Sequence, residues 1–493
     1  MRHIHSFSQH ASWKQVIKSA LGGLCLASAL LVGGQPAAGA AAPKAAVQQA
    51  PVHTQWSQQW APEVRASLQE LCERYGKNSP GYKENRRPYA ILDFDNTTSI
   101  GNVQEQLMIW QLEHLAFAIQ PEDMEKVLQT GISRQGLQLT YGAENGEGAP
   151  VRIGDAIADA ARAYGSLYQA GLVSRRGSVP DAALRSSSDY QEFVGKMRWL
   201  YTAISQTMDA SAAYPWMTYW FTGMKPLEVY TLAYDCDSFY GNAHKWQSWK
   251  KAAYTTPKKG LAGSVTVSYQ NGITVTPEMK ELYSNLQKNG IDAWIVSSSS
   301  TDVIRAAVDY FQIKGVNGIQ GMMNQLDSQQ CYTNAYDYSM HVQTQGPGKV
   351  QTINKTIRPN YKGAGPVLCA MDSQEDFAFA TEYRDTKAVL VVNRYPGDDA
   401  ALCAGIASYQ QLHDITLDKA NAAGNAKFLL QGRDENAGIF WPQEETLRLG
   451  ETEPSDLSDK SQRTVRQLEQ GKSIKDVLKE NTTVKKYHGY KSR

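Results

Sequence analysis

An α/β protein built on a parallel sheet, with a long and mainly helical insertion behind its first strand, is the architecture the sequence predicts. Three observations predict it. Short apolar runs at 88–92, 292–296, 365–371 and 388–393 have strand character and alternate with helical patterns. Two of these runs end in aspartate and one in a run of serines, as buried parallel strands do when they open into polar loops at their C-terminal ends. Between the first run and the second, helical periodicity dominates at 103–118, 190–208 and 227–234.

The chain has 493 residues, 42% of them hydrophobic, enough for a sizeable core. Its 50 basic and 49 acidic side chains argue against a disordered chain and against a strongly basic nucleic-acid binder. Residues 1–40 read as an export leader: Arg2, Lys14 and Lys18 precede an apolar run at 20–32, and Ala38 and Ala40 form an Ala-x-Ala cleavage site. That run is too short for a membrane span, and no later run is long enough. The expectation is an exported protein, periplasmic or extracellular, without a membrane anchor after cleavage. Losing the leader changes the net charge of +1 to −2. Cys25 follows Leu24, not the small residue of a lipoprotein signal. Cys72, Cys236, Cys331, Cys369 and Cys403 are odd in number and widely spaced, so they are neither a disulfide scaffold nor a zinc site, and either a bridge or two or buried free thiols would suit them.

In chain order, 41–84 is an N-terminal lead-in with a helix at 62–75. Residues 85–105 open the α/β core, 106–274 form the insertion, and 275–400 return to the core. Residues 401–493 form a C-terminal extension, polar after 450 and ending in a solvated basic tail. The pattern SVTVSY at 264–269, Asn271-Gly272 and 273–276 predicts a hairpin near the return to the core. Helices are expected at 301–311 and 349–357, with loops at 142–148 and 174–180.

Asp93 and Asp95 stand two apart where the first strand ends, so their carboxylates repel unless a cation lies between them or one stays protonated. Both arrangements serve catalysis, although the spacing alone is common by chance. Further residues follow in the order that phosphate chemistry needs. Ser297 ends the second strand ahead of a helix, where hydroxyl and amide groups bind phosphate oxygens. Lys349 can neutralise a phosphoryl group, and Asp372 ends a third strand with Asp376 four residues on.

These residues resemble the four motifs of the haloacid dehalogenase-like hydrolases. DxDx[TV] is matched by Asp93-Phe94-Asp95-Asn96-Thr97, and the strand ending in Ser by Trp294-Ile295-Val296-Ser297. The motif lysine is Lys349, with Lys355 the alternative. The acidic motif is Met371-Asp372-Ser373-Gln374-Glu375-Asp376, where Met371 stands in place of the usual Gly. The resemblance implies a Rossmann-like core. An insertion between the first and second motifs is similar to the C1 cap of the phosphoserine phosphatase-like branch, and export, DxDNT and the Gly-Lys-Val context are similar to bacterial phosphorylcholine phosphatases. It further implies a phosphoric monoester hydrolase in which Asp93 is the nucleophile and Asp95 the acid and base. Thr97, Ser297 and Lys349 would hold the phosphoryl oxygens. Mg²⁺ would be held by Asp93, the Asp95 carbonyl and Asp372, with Asp376 orienting that shell. The partner is then a small-molecule phosphate monoester, with phosphorylcholine one candidate. A dehalogenase is disfavoured because that branch lacks the second Asp. Gly346-Pro347-Gly348-Lys349 is no Walker motif, since Gln343 and Val350 occupy two of its required positions.

In the cap, the aromatic run 214–221 with Trp246 and Trp249 suits either helical core or a box for a quaternary ammonium, core being the commoner use. Glu228 and Asp235 offer negative charge there but suit a solvated surface as well. His114, His244 and His341 lack metal-ligand spacing. A broad-specificity acid phosphatase or phosphotransferase, and a non-catalytic secreted binding protein on the same fold, stand as alternatives.

Overall fold

The computed structural model describes residues 55–142, 150–241, 251–257, 260–339 and 342–483. The expected leader at 1–40, most of the 142–148 loop, Trp246, Trp249, His244, His341 and the last ten residues of the expected tail lie outside them. Among the described residues no helix is long and apolar enough to cross a membrane.

The main sheet has six strands: β1 (Tyr89–Leu92), β2 (Asp292–Ser300), β3 (Val316–Met322), β4 (Leu368–Met371), β5 (Ala388–Val392) and β6 (Lys427–Gln431). Their order is β3-β2-β1-β4-β5-β6, every neighbouring pair parallel. Sequence order therefore reverses between β1 and β4, and the crevice beyond the carboxyl ends of those two strands is where such sheets place ligands. The strands read as continuous apolar runs because both faces are covered. In β1, Ala90 and Leu92 enter one core cluster while Tyr89 and Ile91 enter the other, and β4 and β5 alternate in the same way.

The helices that bear on the site are α1 (Pro62–Tyr75), α2 (Val103–Glu113), α3 (Ile153–Gln169), α4 (Ser188–Thr207), α5 (Pro226–Tyr240), α6 (Thr301–Tyr310), α7 (Pro347–Thr352), α8 (Ala400–Leu412) and α9 (Asp459–Glu469). The insertion between β1 and β2 has its own apolar core, in which Phe117, Tyr164, Phe193, Trp199, Trp216 and Trp220 are buried. α3 and α4 pack along each other within it, while α5 packs back on α6 of the core.

Several expectations are corrected. Thr266–Gln270 does form a hairpin strand, but its antiparallel partner is the upstream segment Lys251–Thr255, not 273–276. Thr274 instead bridges to Ile100, tying the return segment to the loop after β1. β2 runs through the serines to Ser300. The expected helix at 349–357 is a single α turn and a half, α7, followed by a π-helical turn at Ile353–Ile357. The core does not stop at residue 400, because β6 is the edge strand beside β5. Nor is the chain after 450 a solvated tail through its described length. α9 packs on α8, and Asp399 binds the Lys460 ammonium at 3.0 Å and the Thr483 hydroxyl at 2.9 Å. All five described cysteines are buried free thiols.

Candidate active site

The backbone at Asp93 still belongs to the sheet, its amide donating to the Ala370 carbonyl of β4 at 3.1 Å. The chain then turns sharply. The Phe94 carbonyl accepts from the amides of Thr98 and Ser99, and Asn96 adopts a φ of +62°, a left-handed conformation that Asn tolerates better than most residues. This turn aims Asp93 and Asp95 into the crevice. Asp95 is further fixed by the start of α2, where its Oδ1 accepts from the Val103 amide at 2.7 Å. Its Oδ2 accepts from the hydroxyls of Ser297 and Ser299.

Lys349 is delivered by α7. Gly346 precedes that helix at φ +48° and ψ −127°, a conformation that a side chain would oppose. The Lys349 ammonium, 1% exposed, lies 2.6 Å from Asp93 Oδ1 and 2.5 Å from Asp376 Oδ1. Asp372 ends β4. Its Oδ1 accepts from the Thr97 hydroxyl at 2.9 Å, and its Oδ2 accepts from Arg394 at 2.7 Å. Asp376 Oδ2 accepts from the amides of Asp372 and Ser373.

Electrostatics follow from this crowding. Burial, then repulsion by Asp376, pushes the Asp93 carboxyl well above its ordinary range, against the pull of Lys349. Burial also raises Asp376 and pushes Asp95 up to about 6, even though its hydrogen bonds to Ser299 and Val103 favour the charged form. For Lys349, burial works against the charge, but Asp376 and Asp93 outweigh it and hold the ammonium above its usual range. Lys349 and Arg394 together do not balance the four carboxylates of Asp93, Asp95, Asp372 and Asp376. Oxygens of Asp93, Asp372 and Asp376 lie within 4.8 Å of one another, an all-oxygen buried donor set that fits a hard divalent cation such as Mg²⁺.

The structure therefore brings Asp93, Asp95, Thr97, Ser297, Lys349, Asp372 and Asp376 into one place. Thr97 and Ser297 direct their hydroxyls at Asp372 and Asp95. Lys355, the alternative motif lysine, is exposed on the π-helical turn. Two contributors were not anticipated. Ser299 shares the face of β2 with Ser297, a period-two relation present in the serine run. Arg394 follows β5 at the carboxyl edge of the sheet, the edge on which the other site residues lie.

A cavity of about 270 Å³ between core and cap adjoins this centre at Ser299 and is lined also by Glu105, Tyr201, Met208, Tyr214 and Glu375. The Tyr201 hydroxyl donates to Glu105 at 2.5 Å, and that of Ser298 to Glu375 at 2.7 Å. Of the aromatic run 214–221, only Tyr214 and Met217 line this cavity. Trp216, Tyr219 and Trp220 are packed into the cap core, and Phe221 into the core cluster on one face of the main sheet. Glu228 caps its own helix and pairs with Arg175 at 2.9 Å, Asp235 is exposed, and His114 stacks on Trp110. A separate cavity of about 730 Å³, lined by Glu63, Asp414, Glu444 and Asp456 among others, shares no residue with the motifs.

No family model and no curated protein sequence matches the chain. Among solved structures, a conserved protein of unknown function from Anaerococcus prevotii is similar at 26% identity and a TM-score of 0.66, over 78% of this chain and 96% of that one. A HAD family hydrolase from Salmonella enterica serovar Typhi is 8% identical with a TM-score of 0.28, over 61% and 62% of the two chains. A phosphoserine phosphohydrolase-like protein from Francisella tularensis is 12% identical with a TM-score of 0.25, over 62% and 87%. The last two superpose too loosely to inform the site. By its strand order, by the strand end at which each motif emerges and by an insertion directly behind β1, the chain has a haloacid dehalogenase-like fold.

Proposed function

We propose that the protein is an exported, Mg²⁺-dependent phosphomonoesterase that works through an aspartyl-phosphate on Asp93, with a small ester, phosphorylcholine first among candidates, as substrate. The observation that supports this most is the pairing of two differently held carboxyls on one turn. Asp93 is bound by Lys349 at 2.6 Å, whose charge favours the ionised form needed for attack against the burial that opposes it, while Asp95, raised to about 6, can lose and regain a proton near neutrality.

In this reading Asp93 attacks phosphorus. Asp95 protonates the departing alkoxide, then takes a proton from the water that cleaves the aspartyl-phosphate. Lys349 and Arg394 face the charge that develops on the phosphoryl oxygens, and the Ser297 and Ser299 hydroxyls hold Asp95 in position. Asp93 and Asp372, with Asp376 beside them, would hold Mg²⁺, which supplies charge compensation for the phosphoryl group when bound. The alcohol portion would lie in the cavity between core and cap, where Tyr201 and Tyr214 offer ring surface and Glu105 and Glu375 offer negative charge to a cationic group.

Phosphate release from p-nitrophenyl phosphate, phosphorylcholine and phosphoserine, with Mg²⁺ or with EDTA, tests the proposal. Release that EDTA stops, with phosphorylcholine preferred over phosphoserine, is expected. A folded sample that releases phosphate from none of them in Mg²⁺ would return the binding-protein alternative.

A further inference from the structure

We infer that Arg433, contributed by the segment after β6, is a positioning residue for the loop that carries Asp93, Asp95 and Thr97. The inference rests on the proposed reaction for its meaning, but not for its geometry. Arg433 is 1% exposed and lies 337 residues beyond the loop it binds. Its Nη1 donates to the Asn96 carbonyl at 2.7 Å. Its Nε and Nη2 donate to Glu435 Oε1 at 3.0 and 2.6 Å, and Glu435 is held in turn by the Leu449 amide at 2.9 Å.

Asn96 is the point at which this bond matters most. Its left-handed backbone is the least favoured conformation in the loop, so it needs an external hold. Because the peptide unit is planar, fixing the Asn96 carbonyl also fixes the Thr97 nitrogen. That sets the direction from which the Thr97 hydroxyl reaches Asp372. A guanidinium can span the Asn96 carbonyl and Glu435 with separate N–H groups, which a lysine ammonium at the end of a flexible chain does less well.

The same segment reaches the second loop of the site. The Thr446 hydroxyl accepts from the Arg433 amide at 3.2 Å and donates to the Asn393 carbonyl at 2.5 Å. The Asn393 side chain donates to the carbonyls of Glu444 and Asp456. Asn393 immediately precedes Arg394, whose guanidinium is on Asp372. Closeness is enforced at Gly432, where a Cβ would come within 1.9 Å of the Glu445 carbonyl oxygen. Chain that follows the last strand of the main sheet thus braces both loops between which the phosphoryl group would be transferred.

The test uses the full chain with Arg433→Lys and, because the site is buried, Glu435→Gln as a milder second variant. Three quantities are read: kcat and KM for the best ester, the melting temperature, and hydrogen exchange of the amides in 94–101. Expected for Arg433→Lys is a kcat at least about tenfold lower with KM within about twofold, together with faster exchange confined to 94–101. Glu435→Gln should shift both in the same direction by about threefold. Folded variants with wild-type kcat and unchanged exchange in 94–101 would overturn the inference, as would a loss that only follows melting temperature. If the wild type hydrolyses no ester, the proposed reaction fails, and exchange in 94–101 alone decides whether Arg433 holds the loop.

Discussion

Two buried lysines in this molecule each bind two carboxylates, yet they sit in opposite situations. In the cap, Lys196 contacts Asp159 at 2.8 Å and Glu192 at 2.5 Å, all three buried on the facing helices α3 and α4. Arg162 adds positive charge 3.8 Å from Asp159, and the amides of Leu261 and Ala262 donate to the same carboxylate. Charge there is balanced, and Asp159 fastens the loop at 261–262 to the helix pair. In the core, Lys349 faces Asp93 and Asp376 and Arg394 faces Asp372, with Asp95 close behind and a cavity alongside, two cations against four carboxylates. Negative charge is in excess, and the carboxylates stand on loops at strand ends. An ion cluster is structural where it closes its own account, and reactive where it is left short of a cation.

Asp93→Asn should produce the largest effect, a fall in kcat of at least about a thousandfold, with a melting temperature shifted by no more than a few degrees because Lys349 keeps Asp376. The two lysines can then be set against each other. Lys196→Met leaves two buried carboxylates without their ammonium and should destabilise by about 3–5 kcal/mol in chemical denaturation, while activity per folded molecule is retained. Lys349→Met should abolish turnover. If Lys196→Met removed activity from fully folded protein, the division between structural and reactive clusters would be wrong.

A smaller effect concerns protons. With Asp95 at about 6, the acid form needed by a poor leaving group disappears as pH rises. kcat/KM for an alkyl phosphate should therefore fall toward tenfold per unit above that value. Asp95→Asn should flatten this limb and cost more on alkyl phosphates than on p-nitrophenyl phosphate.

The smallest effect lies in the separate acidic cavity. Burial and then Asp456 push Glu444 from 4.5 up to about 7, so the folded state binds the proton more tightly than the unfolded chain. This group favours folding when protonated, and its contribution is lost as pH rises through 4.5 to about 7. Glu444→Gln should raise the melting temperature by about 1–3 °C above pH 7 and leave it unchanged near pH 4.

What the sequence disclosed and what it hid have physical causes. β1, β2, β4 and β5 were legible because burial on both faces demands unbroken apolar runs. β3 was not, since it is an edge strand written VNGIQGM, with Gly318 kept small by the Trp294 ring and Gly321 by Thr301. β6 was hidden by its polar ends. Lys427 is buried against Glu63 of α1 at 2.9 Å, and Gln431 accepts from the Ala61 amide. The Asn-Gly dipeptide at 271–272 misdirected the hairpin because a turn signal does not say which neighbour pairs. In the site, motif spacing disclosed Asp93, Asp95, Lys349 and Asp372, whereas Arg394 and Arg433 reach it singly from later loops and leave no local pattern.

The claim that Asp93 becomes phosphorylated is tested most directly with the Asp95→Asn variant and p-nitrophenyl phosphate in Mg²⁺. That ester needs little acid help to leave, while the second step lacks its base, so the intermediate should accumulate. The expected result is a burst of one p-nitrophenolate per active site, with the phosphoryl group found by mass spectrometry on the acid-quenched peptide that carries Asp93. Steady turnover at the wild-type rate, with no phosphoryl group on that peptide, would contradict it.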